Sequence, residues 1–379
     1  MKRFAAGLAL CGLAYVSGCG KEVGTGSLPN AGPDPSTPPR SLTCDLNDRV
    51  RWQFVQPGPS EVLKSVDLLL VVDTSSSLKT ERSRIASQIP AFVSALPPEA
   101  DYRIGVMLAH GGASPYTGRL YSTSGVATIL DSKKQSLDSI RTSLSSTLSK
   151  TAVDEDEADG EAMLYSLMQG LSGSRLKNSM NQGFFRDDAV WSFVFVSDEN
   201  DICYPPELFG FSAFPDYVPS YRGTERVAYE RYCAPSGFTG PAAVESLVSQ
   251  ITALRPSRAG YALGAIAHTD PAKMVRESED SIGHGVIELV QSQRDGVLMD
   301  LADSDYSAGL SKLGRVVEKQ LHLDTIFGLS GKTFRPESLS VSVDGKNVPF
   351  QFQPEASAVQ IGTSEAGGSG SVIQVEACK

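Results

Sequence analysis

Histidine and basic clusters are both scarce in this chain. Only four histidines occur in 379 residues, and they are scattered singly. No cysteine pair has the spacing of a zinc site, so the sequence argues against a zinc centre. Acidic residues outnumber basic ones by 44 to 34, and the basic residues form no cluster in the sequence. Because nucleic acids bind to clustered positive charge, we expect no nucleic-acid partner.

Two further features are missing. After the N-terminal segment, no apolar run is long enough to span a bilayer. The Gly-x-Ser-x-Gly turn that carries the nucleophile of many hydrolases is also absent from the sequence. We interpret His110, which precedes two glycines, and His268, which follows an apolar run, as structural residues. The sequence therefore predicts a protein that is not an enzyme, with a metallohydrolase as the least favoured alternative.

The N-terminus has the features of an export signal. Lys2 and Arg3 precede an apolar segment that is too short to cross a membrane. The Val-Ser-Gly-Cys sequence at 16–19 resembles the lipobox of bacterial lipoproteins. That resemblance implies a lipid on Cys19 as the only membrane anchor and, because Gly20 follows, an outer-membrane location. The alternative is an ordinary signal peptide with a cysteine nearby.

The remaining cysteines predict disulfide bonds. Once the signal peptide and Cys19 are set aside, four cysteines are left in an oxidising compartment. Four cysteines allow three pairings. We favour Cys44 with Cys378 and Cys203 with Cys233, because each bond then brackets one unit of the chain.

A buried strand followed by carboxylate and hydroxyl groups is the most informative feature of the sequence. The run at 66–72 is almost wholly apolar, which is typical of a strand covered on both faces of a parallel sheet. Asp73, Ser75 and Ser77 follow at alternate positions, at the edge where open α/β sheets bind ligands. Their oxygens are hard ligands that suit Mg²⁺, Ca²⁺ or Mn²⁺. The alternative is a serine-rich turn that caps the helix predicted over 81–96.

Strands and helices alternate from residue 66 to about 322, which predicts an α/β fold with a doubly wound, mostly parallel sheet. A smaller all-β sandwich is predicted from alternating strands at both ends of the chain, with a hairpin at Asp344-Gly345 and a returning strand at 348–352. The predicted organisation is a signal peptide (1–18), a lipidated cysteine with a Pro/Gly-rich tether (19–43), an N-terminal β strand (44–60), an α/β domain (66–322) and a C-terminal β unit (333–379).

The α/β block resembles a von Willebrand factor A domain. Asp73-x-Ser75-x-Ser77 is similar to the first loop of that family's metal-ion-dependent adhesion site. The resemblance implies a Rossmann-like sheet and a divalent ion that is bound at the ends of its strands. It also implies that a partner protein supplies an exposed Asp or Glu carboxylate to complete the metal shell.

The family's other two metal loops have weaker counterparts. Glu161, ahead of a predicted helix, is similar to the glutamate of some second loops, and Glu155 and Asp159 are the alternatives. Asp198 matches the aspartate of the third loop. The acidic sequence at 198–201 departs from the family's usual Asp-Gly and more closely resembles deltaproteobacterial lipoproteins with this domain.

Two features beside the proposed metal have open interpretations. Glu199 and Asp201 are either ligands of a second ion, Ca²⁺, or parts of a solvated acidic loop. The aromatic insertion at 201–240 is either a specificity lid beside the metal or a small self-packed loop. We expect metal-dependent adhesion, and a structural or assembly component of the cell envelope is the main alternative.

Overall fold

The computed structural model describes most of the chain from Cys44 onward. The described residues are 44–75, 77–112, 114–151, 161–204, 233, 240–255, 260–274 and 281–379. The predicted signal peptide, Cys19 and the tether at 19–43 lie outside the described residues. So do Glu155, Asp159 and most of the insertion at 201–240, and the interpretations of these parts stay predictions.

The described elements alternate between strands and helices in the middle of the chain and are strands near its C-terminal end, apart from one 3₁₀ turn at Pro336–Ser338. The strands are β1 (Arg49–Val55), β2 (Ser65–Val72), β3 (Asp101–Leu108), β4 (Leu120–Tyr121), β5 (Leu130–Asp131), β6 (Ala189–Val196), β7 (Tyr261–Ala267), β8 (Val297–Asp300), β9 (Ile326–Gly328), β10 (Ser340–Val343), β11 (Lys346–Asn347), β12 (Phe350–Gln353), β13 (Ala358–Ile361) and β14 (Val372–Cys378). The helices are α1 (Lys79–Val93), α2 (Leu137–Ser149), α3 (Met163–Gly170), α4 (Gly173–Asn181), α5 (Gly240–Leu254), α6 (Val286–Gln291) and α7 (Ser307–Gln320).

The central sheet is mostly parallel. Its strand order is β4-β3-β2-β6-β7-β8, and β5 pairs with β3 beside this path. Strands β3, β2, β6, β7 and β8 run parallel, whereas the two short strands β4 and β5 are antiparallel to β3. A mixed α/β fold with a mostly parallel sheet, which the sequence predicts, is confirmed.

Helices cover both faces of this sheet, which explains why β2 is so apolar. Leu69 and Val71 belong to the buried cluster that includes residues of α3, α5 and α6. Leu68 and Leu70 belong to the cluster that includes residues of α1, α2 and α7. Because successive side chains of a strand point to opposite faces, a strand covered on both sides is buried at every position, as β2 is.

Strands from the two ends of the chain form additional antiparallel sheets. β1 pairs with β14 along its whole length, from Arg49 opposite Cys378 to Val55 opposite Val372. β10 and β11 extend this sheet, and the second sheet has the order β12-β13-β9. One buried apolar cluster contains residues of both sheets, so the two ends of the chain share a single β unit.

The β unit differs from the predicted strands in two places. The C-terminal part of the β unit begins at β9, before the predicted start at residue 333. β9 was missed because three residues are too few to show the alternation of a strand. The strand predicted at 348–352 is not the returning strand of the hairpin. β11, which precedes it, pairs with β10, whereas β12 pairs with β13 in the other sheet. Pro349 lies between these two short strands. Proline has no N–H to donate to a ladder, so the chain changes sheet there.

Two disulfide bonds stabilise the described residues. Cys44 is bonded to Cys378 and Cys203 to Cys233, with Cα atoms 5.9 and 5.5 Å apart. The predicted disulfide bonds are thus present, in the pairing that the sequence favours. Along the part of the chain that the structure describes, no helix has the length and apolar character needed to cross a membrane.

Candidate metal centre

The first candidate loop is a tight turn directly after β2. Asp73 is fully buried, and its Oδ1 accepts the backbone N–H of Ser75 at 2.7 Å. An aspartate that accepts from the second residue after it forms an Asx-turn, which favours this short loop. The hydroxyl oxygens of Ser75 and Ser77 are 2.9 Å apart. The structure therefore brings all three predicted first-loop residues together.

The third candidate loop follows β6, the parallel neighbour of β2. Val72 lies opposite Val196 in the register of these strands, so the residues after them are at the same edge of the sheet. The Ser75 hydroxyl lies 3.4 Å from Oδ1 of Asp198. The Ser197 hydroxyl donates to Oδ2 of Asp73 at 2.8 Å. Asp198 is therefore placed beside the first loop.

Glu161 joins the same acidic group from the segment before α3. Its backbone carbonyl accepts the N–H of Ile202 at 3.2 Å, which holds it near the third loop. Burial raises the pKa of Glu161 well above its ordinary value, and the negative charges of Glu199, Asp73 and Asp198 act in the same direction. Glu161 and Glu199 are also hydrogen-bonded to each other. The candidate second-loop residue thus lies within electrostatic reach of both other loops.

The site concentrates negative charge in a poorly solvated place. Burial, and next the neighbouring charge of Asp198, raise the pKa of Asp73 to about 7. Two carboxylates that share a buried site repel each other, and a bound cation removes this penalty. The nearby Arg82 guanidinium is also buried, and its Nη1 donates to the carbonyl oxygens of Asp73 at 3.0 Å and Ser75 at 2.8 Å. Arg82 therefore holds the loop's backbone.

Both carboxylate oxygens of Asp201 accept hydrogen bonds from backbone N–H groups. Its Oδ2 accepts the N–H of Leu164 at 2.8 Å, and its Oδ1 accepts the N–H of Cys203 at 2.8 Å. Burial raises the pKa of Asp201 to about 7, against the effect of these hydrogen bonds. The two acids proposed for a second ion therefore have different neighbours, since Glu199 contacts Glu161. Asp201 instead fastens the start of α3 to the turn that carries the disulfide.

The segment at 281–285 supports the third loop from behind. The backbone N–H of Ser281 donates to the Asp198 carbonyl at 3.1 Å, and its hydroxyl donates to Oδ1 of Asn200 at 3.1 Å. Gly285 has a φ of +92°, and a Cβ atom there would lie 2.8 Å from Cβ of Asp201. The close approach of the two segments therefore requires glycine at this position.

The donor set fits a hard divalent cation by chemical type and by charge. Carboxylates at Asp73, Asp198 and Glu161 and hydroxyls at Ser75 and Ser77 are oxygen ligands of the kind that Mg²⁺ and Ca²⁺ take. No group of three or more His, Cys, Asp or Glu side chains within the described residues is arranged to hold a metal ion. Asp73, Asp198 and Glu161 alone therefore do not form a metal cluster, and an ion here would also take hydroxyl or water oxygens.

Sequence reasoning missed the supporting residues Arg82, Ser197 and Ser281. Arg82 carried a usable signal, because it lies on the same face of α1 as Ile85 and Ile89, where an apolar residue is expected. Ser197 and Ser281 carried none, since a serine in a loop has many ordinary roles.

The comparisons with known proteins identify no family. No family model and no curated protein matches the chain. Among solved structures, the chain is similar to a von Willebrand factor type A protein from Catenulispora acidiphila, with 10% identity, 88% of this chain and 65% of that chain covered, and a TM-score of 0.36. It is also similar to the pilus adhesin RrgA from Streptococcus pneumoniae, with 9% identity, 89% and 60% covered, and a TM-score of 0.32.

A third similar structure is the adhesive tip pilin GBS104 from Group B Streptococcus agalactiae, with 10% identity, 89% and 83% covered, and a TM-score of 0.32. The chain spans 65% of the first structure's length and 60% of the second's. Identities and TM-scores this low carry no argument about function.

Proposed function

We propose that this protein is a lipid-anchored component of a bacterial cell envelope that binds a partner protein or surface through a divalent ion. Asp73, Ser75, Ser77 and Asp198 would hold the ion, with Glu161 as a further acid. Mg²⁺ suits this set, and Ca²⁺ and Mn²⁺ are the alternatives. The observation that carries the proposal is the contact of Ser75 with both Asp73 and Asp198 at the carboxyl edge of the sheet.

The residues divide the work of such a site. Asp73 and Asp198 supply negative charge, and the neutral hydroxyls of Ser75 and Ser77 supply further oxygens without cancelling the charge of the ion. Arg82 holds two carbonyl oxygens of the loop by donating to them. Once bound, the ion offers a vacant position to an Asp or Glu carboxylate of the partner. Glu161 adds charge that strengthens metal binding and weakens the attraction for an acidic partner.

The envelope location rests on two observations. The sequence at 16–19 resembles a lipobox, and the described cysteines are joined in disulfide bonds. Disulfide bonds persist in oxidising compartments such as the periplasm and the cell surface. With a lipid on Cys19, the protein would be held at the outer membrane.

The function is tested by capture from envelope and surface preparations. Purified wild type should retain a partner in millimolar Mg²⁺ and release it in chelator, and Asp73→Asn should not retain it. Asp138→Asn is the matched control, because Asp138 is an exposed acid on α2 whose contact is a surface pair with Arg141. Retention of the same partner by Asp73→Asn, or in chelator, would favour a structural envelope component without metal-dependent adhesion.

A further inference from the structure

His110 is a fully buried histidine that lies between two hydroxyl groups just after β3. Its Nε2 is 3.0 Å from the Thr74 hydroxyl, and its Nδ1 is 2.7 Å from the Ser114 hydroxyl. A neutral imidazole has one donor and one acceptor nitrogen, and a hydroxyl can take either role. Both contacts are therefore hydrogen bonds in a single tautomer, and His110 bridges two loops.

The first of these loops carries the candidate metal ligands. Thr74 lies between Asp73 and Ser75 and is itself buried. Arg82 holds the carbonyl oxygens on either side of it. The hydrogen bond with His110 fixes the side chain of Thr74. The short metal loop is thus held at its backbone by α1 and at Thr74 by the end of β3.

The second loop gives His110 a firm support. Its Ser114 hydroxyl also accepts the backbone N–H of Tyr116 at 3.2 Å, so this side chain is fixed within the loop. The N–H of Gly118 donates to the Ser166 hydroxyl on α3 at 3.1 Å. Gly118 has a φ of +64°, and a Cβ atom there would lie 2.5 Å from the backbone nitrogen of Gly170. The loop therefore rests directly on α3, the helix that follows Glu161.

We propose that His110 is a positioning residue of the metal centre, which holds the Asp73–Ser77 loop opposite Asp198 by bridging Thr74 to Ser114. This inference rests on the proposed function, since it assigns a role at the same site. His110 acts on the metal loop through the Thr74 hydroxyl. Removing either hydroxyl breaks the restraint on Thr74 without removing a ligand or the contacts of Arg82, so metal affinity falls while the ligands remain.

The test is Mg²⁺ binding by titration calorimetry with two variants that leave His110 in place. Thr74→Val removes one end of the bridge, and Ser114→Ala removes the other. Each should weaken Mg²⁺ binding about tenfold, the lower end of the effect known for residues that orient metal ligands. Because both variants break one bridge, the double variant should be hardly weaker than either single variant. Ser122→Ala, which breaks the Ser122–Thr128 hydroxyl pair elsewhere, is the control.

The outcomes separate this inference from the proposed function. Mg²⁺ affinities equal to that of the wild type, accompanied by a lower melting temperature in chelator, would overturn it and leave His110 a packing residue. Fully additive losses in the double variant would also overturn it, since the two hydroxyls would then act independently. A wild type that binds no Mg²⁺ would overturn the proposed function itself.

Discussion

Ser75 and Asp198 contact each other at the carboxyl edge of the central sheet, although 123 residues separate them in the chain. The contact follows from the pairing of β2 with β6, which places Val72 opposite Val196. The two strands therefore end at the same edge of the sheet, and the polar residues that follow them in the chain lie close together. The same register places the Ser197 hydroxyl on Asp73. The acidic site is thus a product of strand alignment.

Replacing Arg82 tests how the first loop is held. Arg82→Met should lower the free energy of unfolding by about 2–3 kcal/mol, because two carbonyl oxygens lose a charged hydrogen-bond donor. It should also weaken Mg²⁺ binding. Arg141→Met on α2 removes an exposed pair with Asp138 and should cost under about 0.5 kcal/mol. Urea unfolding in chelator measures both variants, and equal losses would contradict the assigned role.

The buried acids predict an unusual pH dependence in chelator. The pKa of Asp73 is about 7 in the folded protein, against an ordinary value of 3.8. The folded state therefore keeps a proton that the unfolded state releases, and stability contributed by this proton falls as the pH rises from about 4 to 7. Asp73→Asn resembles the protonated acid at every pH, so it should be more stable than the wild type at pH 8.

The gain from Asp73→Asn should be mostly lost by about pH 3, well below the folded pKa and below the ordinary value of 3.8, where Asp73 is largely protonated in both states. Using the difference between the two proteins removes the contributions of acids that do not interact with Asp73, such as Asp201, whose pKa is also raised. Urea unfolding at both pH values measures the difference. A variant that is less stable than the wild type by the same amount at both pH values would show that ionisation of Asp73 does not destabilise the folded protein.

Opening the long disulfide should strongly destabilise the protein. Cys44 and Cys378 are separated by 334 residues, and closing such a loop restricts the unfolded chain by on the order of 5 kcal/mol in the chain-entropy model. The bond at Cys203–Cys233 closes 30 residues and should contribute roughly 3 kcal/mol by the same model. Paired Cys→Ser variants and chemical denaturation give both values. Non-reducing peptide mapping that joined Cys44 to Cys203 would contradict the architecture.

Lipid anchoring is tested by one substitution. Cys19→Ser should move the protein from the membrane fraction to the soluble fraction, because among the described residues no helix is long and apolar enough to cross a bilayer. Cell fractionation and immunoblotting measure the shift, with the Cys203→Ser variant as a control that keeps the lipid site. A Cys19→Ser protein that remains membrane-bound would rule out the lipobox interpretation.

The sequence was most informative where a segment showed one clear pattern of apolar and polar residues. The apolar run of β2 and the polar residues behind it were recognisable, because burial on both faces leaves a strong signature. Helix α4 was not predicted, since Ser179 is its only fully buried residue and it shows no apolar stripe. Strand β5 has two residues, which is too short for alternation.

The partners inside the site were beyond a sequence argument. Asp201 follows the third loop and has the composition of a metal ligand, but its oxygens accept backbone N–H groups of residues that only the folded chain brings near. Glu161 was proposed from its resemblance to the glutamate that precedes a helix in some second metal loops. Its contact with Glu199 depends on how the loops meet. Predicting such contacts requires knowing which loops lie side by side in the folded protein, as well as the residue types.

The most direct test of the metal centre is the melting temperature of the wild type in chelator and in millimolar Mg²⁺, Ca²⁺ or Mn²⁺. A ligand present at about 100 times its dissociation constant stabilises the folded state by about 2.7 kcal/mol, which is a shift of several degrees. We predict this shift for the wild type and none for Asp73→Ala. The same melting temperature of the wild type in chelator and in all three ions would contradict a divalent metal site at Asp73, Ser75, Ser77 and Asp198.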